Sequence, residues 1–243
     1  MEDANLSEAM LADADLNWIN LGGVNLIGAK LTKAYLTNAS LNRSNLTAAD
    51  LTEANLAGAE LKSATLISAI MIEASLAGAN LTDADLARAN LNKADLTETV
   101  LIRANLQGAH LQRTKLYKTD LSEAYLNGAD LQGAELKEAN LTGTNLFGAN
   151  LSNKTDLSNA NLSEADLRKT NLRKAILRYS NLSGADLREA DLREADLFEA
   201  DLNWASLQGA KYNNRTQGPD DFDWSHSGAI YEDDYNKRGN HGL

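Results

Sequence analysis

The sequence predicts an all-β solenoid, a chain that turns a corner every five residues and stacks its coils on one another. Three observations lead there. Leucine recurs at every fifth position from Leu6 to Leu151, with Met71 as a substitute, and again from Leu157 to Leu207 with Tyr212 in the next slot. That makes about forty-two repeats. Two residues before each leucine stands a small residue, nearly always alanine. Eleven of the sixteen glycines, Gly23 and Gly128 among them, fall two residues after the leucine.

A period of five excludes the simpler elements. In a straight helix, five steps of roughly 100° turn each leucine by about 140°, which scatters the leucines around the cylinder. In a straight strand, five is odd and successive leucines alternate faces. Alanine and leucine, two apart, point the same way in an extended segment. All of them stay inside only if the chain bends once per repeat. The glycines mark the bend, where a turn needs φ > 0. Leucine and alanine then face inward and the other three positions face outward, with Asp or Asn most often just before the leucine. The stretch Ser152-Asn153-Lys154-Thr155 carries one extra residue, expected to form a bulge or small loop that keeps the stack in register.

The consensus Ala-Asp/Asn-Leu-x-x resembles the pentapeptide-repeat family. That resemblance implies four repeats per coil in a right-handed quadrilateral parallel β-helix, here spanning residues 1–212. Twenty-residue echoes such as Leu56-Ala57-Gly58-Ala59 against Leu76-Ala77-Gly78-Ala79 agree with four. At a strand spacing of about 4.8 Å, roughly ten coils make a rod about 50 Å long. Residues 213–243 break the pattern and bring Pro219, Phe222, Trp224, Tyr231 and Tyr235. The run from Tyr212 to Asp223 is similar to the closing segment of many cyanobacterial members, so this tail is expected to cap the last coil, the alternative being an arm that recruits a partner. Solenoid ends expose unpaired edges and need such a cover. Gly218 stands where the family usually has an aromatic, which predicts a weaker closing contact. The final residues, Asn236 to Leu243, are expected to be mobile. At the other end, Trp18, Ile19, Val24 and Gly22-Gly23 make the first coil irregular. The expectations there are a self-closing coil, a cover from upstream residues, or a homodimer paired through the N-terminal end.

Composition narrows the function. With no cysteine and three histidines, two of them in the tail, thiolate sites are excluded and histidine sites are scarce. The net charge is −11, which opposes general nucleic-acid binding. No apolar run approaches the length of a membrane span. Carboxylates such as Asp186, Asp191, Asp196 and Asp201 follow the repeat, one per face, so they do not converge on a shared point. A catalytic pair needs two groups in one cleft. His110 reads as solvated. Thr82-Asp83-Ala84-Asp85 lacks the glycine and terminal glutamate of a calcium loop. The basic run Arg168 to Lys174 should be neutralised from the next coil by Glu189 beside Lys169 and Glu194 beside Lys174. The sequence thus predicts no enzyme, no cofactor and no metal.

Apolar side chains at outward positions remain. Ile67, Ile70 and Ile72 form one group, expected to contact a partner. Ile176, Tyr179, Phe198 and Trp204 form a second, either a contact or a patch on which the aromatic tail packs. The expected function is a non-catalytic protein-binding scaffold or regulatory interaction module, binding neither nucleic acid nor membrane. By resemblance its source is cyanobacterial, and some relatives there regulate cell differentiation through protein partners. Its expected compartment is the cytoplasm, or the periplasm or thylakoid lumen if a leader precedes Met1. The family offers an alternative, because some members are acidic rods that inhibit DNA gyrase by mimicking DNA. Here the residues from Asn213 onward carry three basic and six acidic side chains, leaving −8 on the rod. That is one net charge per roughly 6 Å, against one per about 1.7 Å in DNA, and leucine stands where gyrase-directed members favour phenylalanine. A purely structural spacer is the third reading.

Overall fold

The computed structural model describes residues 4–233. Every repeat is built alike, and the repeat Asp50 to Ala54 shows why. The Leu51 N–H donates to Ile70 O at 2.7 Å and the Glu53 N–H to Ile72 O at 2.9 Å, both in the following coil. Ala54 N–H closes the corner onto Leu51 O at 3.0 Å, and Asp50 N–H reaches back to Ala29 O at 2.9 Å. The remaining amide, that of Thr52, donates to Asp50 Oδ1 at 3.2 Å. All five amides therefore have partners, as burial against the next coil demands. The residue two after each leucine is left-handed: Gly128 has φ 67° and Glu53 φ 56°. Glycine is favoured there, but Glu, Lys, Asn and Arg occupy the same conformation throughout.

Single-residue parallel pairings run in four columns, one per face. The first passes Asn5, Asn25, Asn45 and onward to Ser206; the second starts at Met10, the third at Asp15, the fourth at Asn20. Partners are twenty residues apart until Glu135 pairs with Asp156, and twenty again at Asp156 with Ile176. The extra residue is thus absorbed at one corner, where Asn153 and Lys154 are both left-handed. Buried Thr155 fastens that corner: its hydroxyl lies 2.9 Å from Leu131 O and Ser152 O and accepts from Gly133 N–H at 3.0 Å.

The core is a continuous stack of leucine and alanine, from Leu21 to Ala210 almost wholly buried. Burying each leucine contributes on the order of 1.5–3 kcal/mol. Where alanine is replaced by Ser or Thr, the buried hydroxyl donates to a leucine carbonyl, as from Ser44 to Leu41 (2.6 Å) and Thr99 to Leu76 (2.8 Å).

The two ends differ. At the C-terminal end Lys211–Tyr212 (β1) pairs in parallel with Ile230–Tyr231 (β2). Leu197 N–H donates to Gln217 O and Gly209 N–H to Gly228 O. A 3₁₀ turn, Trp224–His226, is capped by Asp223, and Trp224 stacks on Tyr212 with ring centres 4.8 Å apart. Phe222 and Trp224 pack against the end of the core. The expectation drawn from Gly218 is corrected here. The indole of Trp224 fills the space beside Gly218, so the aromatic of the closing contact comes from six residues downstream. At the N-terminal end, among the described residues, the first coil does not close over itself. Leu6, Leu11 and Leu16 remain partly exposed, and Met10 and Trp18 stand 79% and 76% exposed. The expected mobile segment from Asn236 lies outside the described residues.

Candidate interaction surface

The Asp or Asn before each leucine has a structural task that the sequence did not disclose. Its side-chain oxygen accepts the N–H two residues on, as Asn55 does for Ala57 (3.1 Å) and Asp186 for Arg188 (3.2 Å). Where another residue stands there, an Asn from the preceding coil sometimes substitutes: with Tyr35 in the slot, Asn17 accepts from Thr37 N–H at 2.9 Å. Asp186, Asp191, Asp196 and Asp201 lie in four different columns, as expected. Asp83 and Asp85 are engaged too, the first by a bidentate Arg103, the second by Ala87 N–H and Asn105. No group of three or more His, Cys, Asp or Glu among the described residues is placed to hold a metal ion. No helix among the described residues is long and apolar enough to cross a membrane.

Charges are paired along the columns. Lys169 lies 3.8 Å from Glu189 and Lys174 3.9 Å from Glu194, the pairs expected from the twenty-residue offset. Arginines after the leucine add a second kind of pair, folding back on their own aspartate or reaching one in the next coil. Hydrogen bonds from the Arg168 and Arg188 guanidinium groups hold the carboxyls of Asp166 and Asp186 below the usual carboxylate range. Residues 151–212 carry ten acidic and nine basic side chains, so this part of the rod is nearly neutral.

The first apolar group is smaller than the sequence suggested. Ile67 and Ile72 sit on adjacent corners and are half-buried between the coils on either side, and Ile70 on the face between them is 38% exposed. Ile67 does line a groove of about 720 Å³ that runs along the corner past Gly108 and Gly128 to Phe147. Arg168 lies over that phenylalanine ring at 5.4 Å.

The second group forms a corner at the C-terminal end. Tyr179 meets Phe198 edge-on with ring centres 5.8 Å apart, and Arg178 lies over the Phe198 ring. Ile176, in the same column as Asp196, is half-buried. Tyr179 is 55% exposed and Trp204, beyond the next corner, 89%. The described part of the tail does not cover them: its rings engage Tyr212 and one another instead. Of the two expectations for this group, packing under the aromatic tail is therefore not what the described residues do.

Comparison with known proteins matches this construction. The sequence profile of the family described as pentapeptide repeats fits repeatedly, over 1–26, 19–58, 44–83, 79–117, 114–153, 155–193 and 175–211. No curated protein matches the chain. Among solved structures, HetL is a pentapeptide repeat protein involved in heterocyst differentiation regulation from the cyanobacterium Nostoc sp. strain PCC 7120. It is 38% identical, over 86% of this chain and 89% of its own, with a TM-score of 0.58. Rfr23 from the cyanobacterium Cyanothece 51142 is 32% identical over 40% of this chain and 65% of its own, with a TM-score of 0.34. QnrB1, a plasmid-mediated fluoroquinolone resistance protein, is 20% identical over 77% of this chain and 89% of its own, with a TM-score of 0.49. A period of five sustained through the family profile, and a likeness to HetL over most of both chains, make this chain a member of the pentapeptide-repeat family, with its right-handed quadrilateral β-helix.

Proposed function

We propose that the protein is a non-catalytic scaffold that binds another protein, chiefly through the corner of Tyr179 and Phe198 together with Trp204 beyond the next corner. The observation that carries this reading is Trp204, 89% exposed on a left-handed backbone position with φ 58°. A bulky side chain gains nothing for folding there, since Glu, Lys or Gly serve the same turn elsewhere. Exposed aromatic clusters are the usual anchors of protein interfaces. The Ile67 groove is a second contact. The regulatory role attached to HetL supports reading the scaffold as a regulatory module. A DNA-mimic rod is disfavoured by the near-neutral charge of residues 151–212. Head-to-head dimerisation meets an obstacle too. The described first coil carries Glu8, Asp13 and Asp15 and no basic residue, so two copies would bring like charges together.

The test is affinity capture from a lysate of the source organism with wild type, a Tyr179→Asn/Trp204→Asn variant and an Ile67→Thr/Ile70→Thr/Ile72→Thr variant. Asn tolerates the left-handed backbone, so all three should share one circular dichroism spectrum and one melting temperature. A partner kept by wild type and lost from the aromatic variant supports the reading. Identical captures from all three overturn it.

A further inference from the structure

Among the described residues, one strand edge at the C-terminal end has neither of its two donors paired, and it lies beside Trp204. Among the described residues the tail supplies hydrogen-bond partners on the second and third faces and at the corner after the first, where Leu207 N–H makes no hydrogen bond but is buried. Gln217 pairs with the third, β2 with the second, and Gly228 with Gly209 at the corner after the first. On the fourth face the last pairing is Asn181 with Asp201. In every lower coil the leucine N–H and the N–H two residues on donate to the following coil, as Leu182 does to Asp201 O (2.8 Å) and Gly184 to Asn203 O (2.9 Å). Leu202 and Trp204 hold these two places in the last coil, and their N–H groups make no hydrogen bond among the described residues. Asp201, Asn203 and Trp204 are exposed.

The charge around this edge has one sign. Glu199 and Asp201 flank it, and neither has a basic group within 4 Å among the described residues. Glu164 stands at the same corner two coils below, its Cγ 3.7 Å from where a Gly184 Cβ would stand. It too is unpaired, although most carboxylates of the preceding coils have an arginine or lysine. Two free backbone donors, an exposed indole and unpaired carboxylates call for an occupant with backbone acceptors and positive side chains. Strand addition supplies the first through main-chain hydrogen bonds. Lysine or arginine supplies the second, through ion pairs and by lying over the indole face.

We infer that the edge Asp201–Trp204 is a docking site for an extended, basic segment of a partner protein, which adds a strand to the fourth face. This deepens the scaffold reading and rests on it. The segment runs parallel to Asp201–Trp204, accepts from the Leu202 and Trp204 amides, and places a cation against Trp204.

The probes are a fluorescein-labelled Lys-Val-Lys-Val-Arg-Val peptide, its Glu-for-Lys/Arg counterpart, and a backbone N-methylated form of the basic peptide. Each is titrated into the full-length protein, read by anisotropy and by hydrogen exchange at individual amides. The basic peptide should bind, slow exchange at Leu202 and Trp204 at least tenfold, and weaken as salt rises. Trp204→Asn and Glu199→Gln/Asp201→Asn should each lower its affinity about tenfold, and the acidic and N-methylated peptides should not bind. Equal binding of the acidic peptide, protection elsewhere, or no binding at millimolar peptide each overturns the proposal. So does binding that appears only in a full-length Lys237→Ala/Arg238→Ala variant, because the chain's own tail would then be the occupant. If the peptides fail while the Tyr179→Asn/Trp204→Asn variant still loses its captured partner, strand addition is wrong and the scaffold reading stands. If the peptides behave as expected and captures are identical, the scaffold reading fails by itself.

Discussion

The indole of Trp224 lies against Gly218 so closely that a Cβ at 218 would stand 2.8 Å from its Nε1. An alanine in place of a turn glycine commonly stabilises a protein by about 0.4–1 kcal/mol, by limiting the unfolded chain. Here the sign should reverse. Gly218→Ala must push Trp224 off Tyr212, an overpacking cost of roughly 1–3 kcal/mol. The damage should stay local, seen as faster hydrogen exchange at the Gly209 and Ile230 amides with no change near Leu51. An unaltered exchange pattern would show that the indole does not close this end.

Outward positions should not all be equal. Asp50 accepts from both the backbone N–H (3.2 Å) and the hydroxyl (2.7 Å) of Thr52. Asn127 is half-buried at the same turn position as Thr52, and its side chain makes no hydrogen bond among the described residues. Asp50→Ala should therefore cost about 0.5–1.5 kcal/mol, and Asn127→Ala should stay within about 0.5 kcal/mol of wild type. Ala129→Leu, inside the coil, should cost roughly 1–3 kcal/mol. Urea melts that rank Asp50→Ala with Asn127→Ala would mean that the carboxylate does not hold the turn.

That contrast shows what could be read from the chain beforehand. A period of five forces leucine and alanine inward whatever the details, so the core and the corners followed from spacing, while the Lys169–Glu189 pair also needed the four repeats per coil that the family resemblance implies. The preference for Asp or Asn before leucine was visible, but its cause needs the turn geometry that brings an amide to the side-chain oxygen. A cap was expected, but the contacts that build it eluded sequence reasoning for a related reason. Trp224 reaches Gly218 by way of a 3₁₀ turn, and no repeat predicts where a chain goes once the repeat has stopped. The open edge at Leu202 and Trp204 was hidden likewise, because it depends on which faces the tail leaves unpaired.

Thr155 tests the inserted residue. Its hydroxyl serves Leu131 O, Ser152 O and Gly133 N–H at one corner. Thr155→Val keeps the shape and removes all three contacts. Gly133 N–H keeps Ser152 O at 3.2 Å and Leu131 O keeps Ala134 N–H at 3.0 Å, so the loss should cost about 0.5–1.5 kcal/mol, the net worth of a hydrogen bond. Hydrogen exchange at Gly133 should quicken while the Glu135–Asp156 register survives. A variant as stable as wild type would show that the two left-handed residues, Asn153 and Lys154, suffice to absorb the insertion.

Acidification sets two effects against each other. Protonating carboxylates relieves the repulsion of a chain with net charge −11, which favours the folded state. It also breaks the pairs of Asp166 with Arg168, 2.6 Å apart, and of Asp186 with Arg188. Both aspartates have folded pKa values below the ordinary one, so each contributes stability above its unfolded pKa. That contribution disappears as pH falls through the folded value. The repulsion is dispersed along a rod of about 50 Å and screened beyond about 8–10 Å at ordinary salt, whereas the pairs act at contact. The pairs should win. The melting temperature should be flat from pH 7 to about pH 5 and fall between about pH 4 and pH 2, the range below the ordinary aspartate pKa. An Asp166→Asn/Asp186→Asn variant, which keeps both backbone acceptors, should start lower at pH 7 and decline less steeply. A melting temperature that rises on acidification would mean that long-range repulsion, not pairing, governs the C-terminal coils.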